Sequence, residues 1–170
     1  MTVLEIEPLE DLQLILYVDG ASRGNPGRAG AGVWVTDGEG RRLKEFSQYL
    51  GYKTNNEAEY HALLLGLEEA KRLGGKSIRV FTDSELIARQ VKGIYRVKDS
   101  NLKSLYGKVV QGLKGFSSFE IESIPREENK EADRLANEAI QTRIAEEKRK
   151  GEGRRGTDGR SSSHPAERDG

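Results

Sequence analysis

Apolar and polar residues along the chain fall into two patterns, which predict strands and helices. Residues 14–18 are apolar without a break, and such a run is typical of a strand buried on both faces. Two further runs flank the turn at 37–40, whose glycines indicate a hairpin. The pattern predicts strands at 12–19, 30–36, 42–50, 77–82 and 119–124, and helices at 55–73, from about 84, at 101–114 and at 129–145.

Three strands in succession, followed by alternating helices and strands, predict an α/β fold with a mixed sheet. The first three strands would form an antiparallel meander that continues into parallel strands, with helices on both faces. In such a sheet the functional residues gather at the carboxyl ends of the parallel strands. Asp19 and Asp83 both end predicted strands there, so we expect the site at this edge.

The two ends of the chain differ in composition from its body. Residues 1–11 are acidic with few apolar side chains, which indicates an N-terminal extension. Residues 146–170 are rich in glycine, serine and charge, and they can bury too little surface to offset the entropy of ordering. We therefore predict one globular domain at 12–145 and a disordered charged tail. The basic clusters of the tail could contact phosphates, although a solvated tail is the simpler interpretation.

Composition excludes several classes of function. The chain has 28 basic and 28 acidic residues, so no global field attracts it to nucleic acid. It contains no cysteine, which excludes disulfides and thiolate chemistry. It has no long apolar run and no secretory leader, so we expect no membrane association and a cytoplasmic location.

Asp19 is the first candidate for chemistry, because it closes the most apolar strand of the chain. Burying a lone carboxylate costs on the order of several kcal/mol unless it is paired or binds a metal. A partner for Asp19 is therefore expected at the end of this strand.

The helix at 55–73 contains two acids with different expected roles. Thr54 and Glu57 have the spacing of a capping box, so Glu57 is expected to bind the backbone of its own first turn. Glu59 instead shares a helical face with Leu63 and Leu67, the stripe expected to pack on the sheet. A carboxylate on that stripe has no capping role, which favours a functional one.

Two further acids are ambiguous when taken alone. Asp83 could be a helix N-cap, because Asp and Ser are both favoured there. Asp133 lies in the first turn of the last helix, where the helix dipole stabilises an acid by about half a kcal/mol. Together with Asp19 and Glu59, however, they form a set of four carboxylates, which would repel one another unless divalent cations neutralised them. Oxygen ligands suit Mg²⁺ or Mn²⁺, and a pair of such ions roughly 4 Å apart is typical of phosphodiester hydrolysis.

The segments that carry these acids resemble the four signature blocks of type 1 ribonuclease H. They are YVDGASRGNPG at 17–27, TNNEAEY at 54–60, FTDS at 81–84 and NKEADRLA at 129–136, and they occur in the family's order. The resemblance covers residues 14–140. It implies a five-stranded ribonuclease H-like fold, a catalytic domain at 12–145, and hydrolysis of the RNA strand of RNA/DNA hybrids. The products would carry 5′-phosphate and 3′-hydroxyl ends.

The resemblance also implies a role for each acid. Asp19 would bridge two Mg²⁺ ions, for which Mn²⁺ could substitute, and Asp133 would complete the site of the attacking water. Glu59 and Asp83 would complete the site on the leaving-group side. Glu59 would in addition contact a ribose 2′-hydroxyl, which distinguishes RNA from DNA.

Substrate contacts follow from the same resemblance. The segment 20–25 would lie as a loop in the minor groove of the hybrid together with two asparagines. Lys53 and Thr54 are candidates for binding a DNA phosphate, and their structural alternatives are an exposed lysine and a helix cap. The predicted contact residues are Gly20, Ala21, Ser22, Asn25, Lys53, Thr54, Asn55 and Asn56.

The chain departs from the family pattern in two places. Many members have a histidine shortly before the last acid, whereas Arg126 occupies roughly that place here. An arginine could hold a phosphate but is a poor general base, and simple solvation of the loop is the alternative. The basic protrusion of some members is short here. Arg89, Lys92 and Arg96 could contact the DNA backbone or form a solvated face.

Alternatives to hybrid cleavage are weighed on the same residues. A non-catalytic binding module on this fold predicts a lost carboxylate, whereas all four are present. Double-stranded RNA stays open as a second substrate, because the residues expected to read 2′-hydroxyls do not exclude it. We expect the protein to act as a monomer.

Overall fold

The computed structural model describes residues 12–169, with side chains from 12 to 153, so the predicted extension 1–11 lies outside the described residues. The strands are β1 (Gln13–Gly24), β2 (Gly27–Asp37), β3 (Arg42–Lys53), β4 (Ser77–Thr82) and β5 (Ser118–Ser123). The helices are α1 (Asn55–Arg72), α2 (Glu85–Val91), α3 (Ser100–Leu113) and α4 (Lys130–Asp169), and a 3₁₀ turn spans Arg126–Glu128.

The five strands form one mixed sheet in the order β3-β2-β1-β4-β5, with β1 at its centre. In β1, Tyr17 lies opposite Trp34 of antiparallel β2 and beside Phe81 of parallel β4. β5 also runs parallel to β4. The predicted fold class is confirmed, and Asp19 lies near the carboxyl-terminal end of the parallel part of the central strand.

β1 is longer than the sequence indicates, and this corrects one expectation. Residues 20–24 do not form a loop, because they continue the antiparallel ladder with β2 from Gly20, opposite Ala31, to Gly24, opposite Gly27. The turn contains only Asn25 and Pro26. The high glycine content indicated a loop, but cross-strand pairing overrides that local tendency.

The two faces of the sheet carry different helices, as predicted. Leu16 and Val33 belong to the core that includes the buried side chains of α1 and α3. On the opposite face α4 lies directly on β2, because a Cβ atom on Gly32 would be 2.1 Å from the Ala132 carbonyl oxygen. Successive residues of a strand point to opposite faces, which explains how Gly32 and Val33 contact different helices.

The last helix continues beyond residue 145, where the sequence predicted the domain to end. In α4 the side chain of Glu147 forms an ion pair of 2.7 Å with Arg28 of β2. The helix therefore includes part of the segment predicted to be disordered, because the glutamates, lysines and arginine at 146–150 favour helix even without apolar surface. The division of the chain into domains stays a prediction. No helix in the described part of the chain is long and apolar enough to cross a membrane.

Replacing Gly32 with alanine should destabilise the protein, because the new methyl group would meet backbone atoms of α4 that cannot move aside. We expect Gly32→Ala to lower the free energy of unfolding by about 1–3 kcal/mol in urea denaturation. Gly107→Ala is the matched control, since a Cβ atom at this α3 position meets nothing within 4 Å. It should raise stability by about 0.5–1 kcal/mol, and equal effects of the two variants would contradict the close approach.

Candidate active site

Three carboxylates from three different elements meet at the predicted edge of the sheet. Asp19 comes from β1 and is only 2% exposed. Glu59 comes from the second turn of α1, and Asp83 follows β4. One carboxylate oxygen of each lies within 4.8 Å of the others. Three of the four predicted acids therefore form one compact cluster.

Close packing of α1 against β1 holds Glu59 in place. The backbone N–H of Gly20 donates a hydrogen bond of 2.8 Å to Glu59 Oε1. A Cβ atom on Gly20 would lie 2.2 Å from the backbone of Ala58, so a glycine is required for this approach. Gly20 thus positions a carboxylate from β1, in addition to the substrate contact that the sequence predicted for it.

The neighbouring acid Glu57 has the separate role that the sequence predicted. Its side chain accepts a hydrogen bond of 2.8 Å from the Thr54 N–H, and its own N–H donates to Thr54 Oγ1 at 3.2 Å. This is a complete capping box at the start of α1. The helix start is therefore satisfied without Glu59.

The capping alternative for Asp83 is wrong. Ser84 is the N-cap of α2, and its hydroxyl oxygen accepts a hydrogen bond of 3.1 Å from the Ile87 N–H. Asp83 stands one residue earlier, where its carboxylate belongs to the cluster with Asp19 and Glu59. The adjacent serine leaves Asp83 available as a ligand.

The fourth acid, Asp133, lies beside the cluster, close enough to help raise the pKa of the Asp19 carboxyl. Asn137, one turn later in α4, donates to the Asp133 carboxylate at 3.3 Å and accepts from the Arg23 guanidinium at 3.3 Å. Asp19, Arg23, Asp133 and Asn137 line one open cavity of about 440 Å³. Asp133 therefore faces the solvent side of the site.

Burial and mutual repulsion make this cluster ready to bind cations. Burial is the largest factor that raises the pKa of the Asp19 carboxyl to about 10, followed by the charges of Glu59 and Asp83. Burial, and then the charge of Asp83, raises the pKa of Glu59 to about 8. Near neutral pH these carboxylates therefore favour a proton or a cation. Because the donor set contains only oxygen, it fits Mg²⁺ or Mn²⁺.

The predicted substrate residues divide between two cavities. The cavity beside Asp19 also takes in Gly20, Ala21, Ser22, Asn55 and Arg126. A second cavity, of about 220 Å³, is lined by Asn25, Thr54 and Asn56. Lys53 lines neither cavity, and its backbone carbonyl accepts a hydrogen bond of 2.8 Å from Ser22. The two cavities adjoin the same helix start, because Asn25 accepts a hydrogen bond of 3.1 Å from the Asn55 N–H.

Arg126 lies in the 3₁₀ turn before α4, and its side chain is exposed. Its charge lowers the pKa of the Glu59 carboxyl, against the larger effect of burial. It also lines the cavity that contains Asp19 and Asp133. A permanently charged guanidinium is therefore present where an anionic group would enter.

Two of the three basic residues that the sequence suggests for contact with the DNA backbone are paired with acids in this structure. Arg89 binds Glu85 at 2.5 Å and lies over the ring of Tyr95. Lys92 approaches Glu122 at 3.5 Å. These contacts favour the solvated face over a dedicated DNA-binding stripe.

Sequence reasoning missed one buried polar residue, Asn129. It is 1% exposed, and its Nδ2 donates to the Val18 carbonyl at 3.0 Å and to the Asp83 carboxylate at 3.3 Å. The sequence shows Asn129 as the first residue of the fourth signature block. Its role could not be predicted, because its contacts join residues that are far apart in the chain.

The fold and the carboxylate cluster together define the ribonuclease H-like class. A family model described as reverse transcriptase-like matches residues 17–139. This range includes β1 to β5, apart from the first residues of β1, and all four acids. The class therefore rests on the whole sheet and on the site at its edge.

Individual relatives define the family more closely. The ribonuclease HI of Halobacterium salinarum is 38% identical over 135 residues, which cover 79% of this chain and 68% of that protein. The Mycobacterium tuberculosis protein named bifunctional protein Rv2228c is 40% identical over 131 residues, 76% of this chain and 36% of that protein. This chain thus spans about a third of the mycobacterial relative's length.

A solved structure agrees with these relatives. The crystal structure of LC11-RNase H1 in complex with RNA/DNA hybrid is 43% identical, with a TM-score of 0.75, and the match covers 77% of this chain and 99% of that one. The chain belongs to the reverse transcriptase-like family and, within it, to the ribonuclease HI family.

Divalent cations should stabilise the protein more at high pH than at low pH. The pKa values of Asp19 and Glu59 are raised from 3.8 and 4.5 to about 10 and about 8, so the cluster lowers stability as pH rises above about 4. Bound Mg²⁺ offsets this loss and competes with protons. At saturating Mg²⁺ we expect Tm to rise by roughly 5–10 °C at pH 8 and far less at pH 5.

Scanning calorimetry with Mg²⁺ and with chelator at both pH values measures this difference. Asp19→Asn is the control, because it removes the most buried acid of the cluster and should abolish the response. A Tm that Mg²⁺ leaves unchanged at pH 8 would contradict a cation site here.

Proposed function

We propose that this chain is a metal-dependent endonuclease that hydrolyses the RNA strand of RNA/DNA hybrids and leaves 5′-phosphate and 3′-hydroxyl ends. The observation that carries the proposal is the convergence of Asp19, Glu59 and Asp83 within 4.8 Å at one sheet edge. The names of its relatives, ribonuclease HI and an RNase H1 in complex with a hybrid, support the same activity.

The four acids would hold the cations. We propose that Asp19, Glu59, Asp83 and Asp133 bind two Mg²⁺ ions, with Mn²⁺ able to substitute. Such ions supply activation of a water molecule and stabilisation of negative charge on the leaving oxygen. Asp133, on the open side of the cluster, would orient the attacking water. Asp19, buried between the other acids, would contribute to both ion sites.

Two residues of this chain would act on the substrate directly at the cluster. Glu59 Oε1 is engaged by the Gly20 N–H, so its other oxygen can accept a hydrogen bond from a ribose 2′-hydroxyl. Arg126 would hold a phosphate near the cluster, because its guanidinium stays charged and donates in a fixed geometry. Neither the role of Glu59 nor that of Arg126 requires a general base at the position where many family members have a histidine.

The remaining contacts would bind the two strands of the hybrid. Gly20, Ala21, Ser22 and the asparagines at positions 25, 55 and 56 would face the minor groove. Thr54 Oγ1 accepts a hydrogen bond from the Glu57 N–H at 3.2 Å, which leaves its hydroxyl proton free to donate to a DNA phosphate. Lys53 would add a positive charge beside it. These contacts fit a substrate with one ribose strand and one deoxyribose strand.

Action as a monomer and a cytoplasmic location stay predictions from the sequence. Double-stranded RNA stays open as a second substrate, and each of these points can be tested separately from hybrid cleavage.

The full chain should cleave an RNA/DNA hybrid and leave a DNA duplex intact. The measurement uses labelled hybrid, RNA duplex and DNA duplex with Mg²⁺, Mn²⁺ or chelator, and it resolves products by size and end group. We expect hybrid cleavage with a metal and none with chelator. Absence of cleavage with both metals would overturn the proposed function. Products with 3′-phosphate ends would overturn the proposed chemistry.

Exchanging either of two nearby glutamates for glutamine separates chemistry from structure. Glu59→Gln keeps an acceptor for the Gly20 N–H but loses its charge, so we expect cleavage to be abolished while the fold stays intact. Glu57→Gln is the matched control, because glutamine can still close a capping box. It should keep cleavage and cost at most about 1 kcal/mol of stability. The reverse outcome would show that the roles of these two acids are exchanged.

A further inference from the structure

Asn129 connects three parts of the site through one buried side chain and its backbone. Its amide Nδ2 donates to the carbonyl of Val18, the residue before Asp19, at 3.0 Å. The same Nδ2 lies 3.3 Å from Asp83 Oδ2. The Asn129 carbonyl in turn accepts a hydrogen bond of 3.1 Å from the Asp133 N–H. Each contact reaches a different element that carries a carboxylate.

The oxygen atom of the Asn129 amide, Oδ1, argues against a purely structural role for this side chain. Asn129 Oδ1 is buried and has no hydrogen-bond partner among the described residues. It therefore does not cap α4, which would be the ordinary reason for asparagine at a helix start. An unpartnered buried acceptor is unfavourable. The contribution of this side chain is thus the donation from Nδ2.

We propose that Asn129 is a positioning residue that holds the Asp83 carboxylate beside Asp19 and thereby sets the affinity of the cluster for divalent cations. This inference rests on the proposed function only in taking the cluster as a cation site. Asp83 is less buried than Asp19 and is repelled by it, so it would turn toward solvent without a restraint. A hydrogen bond to a charged carboxylate is a strong restraint of this kind.

The hydrogen bond to the Val18 carbonyl holds the Asn129 amide in place, so that the amide can in turn hold Asp83. Because Nδ2 is also bonded to the backbone of the central strand, the amide cannot follow Asp83 outward without losing the bond to β1. Asn129, which lies just before α4, thereby holds the end of β1 and the end of β4 at a fixed distance from each other. Residues that orient metal ligands in this way commonly change metal affinity by about 10–100-fold when they are replaced.

Two variants of the full chain test the role. Asn129→Ala removes the donor, and Asn129→Leu removes both polar atoms but keeps the number and branching of the side-chain heavy atoms. Val109→Ala is the control for lost stability, because Val109 is fully buried in α3 and belongs to the core beside α1. Mn²⁺ binding is measured by electron paramagnetic resonance without nucleic acid, and circular dichroism checks the fold.

We expect Mn²⁺ to bind Asn129→Ala and Asn129→Leu about 10-fold or more weakly than the wild type, and Val109→Ala to bind it like the wild type. The Mg²⁺ concentration for half-maximal hybrid cleavage should rise by the same factor. Unchanged Mn²⁺ affinity in whichever Asn129 variant folds would overturn the positioning role. A wild type that binds Mn²⁺ more tightly than the variants but cleaves no hybrid would overturn the proposed function alone.

Discussion

Mutual repulsion of carboxylates at a buried sheet edge is the constraint on which the site depends. Asp19 is nearly inaccessible, and two further acids lie within 4.8 Å of it. Such a group is unfavourable for a folded protein unless protons or cations neutralise it. The rest of the fold supplies the stability that lets it persist, above all the core between the sheet, α1 and α3.

Close backbone contacts between helices and strands maintain this arrangement. Gly20 brings the backbone of α1 against β1, and Gly32 brings α4 against β2. Because these contacts join backbone to backbone, they leave little room for the helices to shift. The positions of Glu59 and Asp133 are therefore fixed by the packing of whole helices, and not only by their own side-chain contacts.

The sequence predicts a mixed sheet, in which an antiparallel meander is followed by parallel strands, and the acids at its edge, because these follow from local patterns. The apolar run before Asp19 and the capping box at Thr54 are examples. The extension of β1 through residues 20–24 could not be predicted, since cross-strand pairing overrides glycine-rich composition. The role of Asn129 was also hidden, because its partners Val18 and Asp83 are distant in the chain.

At two helix starts the capping and the chemistry belong to neighbouring residues. Glu57 with Thr54 caps α1 without using Glu59, and Ser84 caps α2 without using Asp83. Because no capping bond of these helices involves a clustered acid, either acid can be exchanged without unwinding its helix. The scaffold thus tolerates the loss of the carboxylates on which the proposed reaction depends. A single substitution in a descendant could convert a protein of this architecture from one that cuts a duplex into one that only holds it.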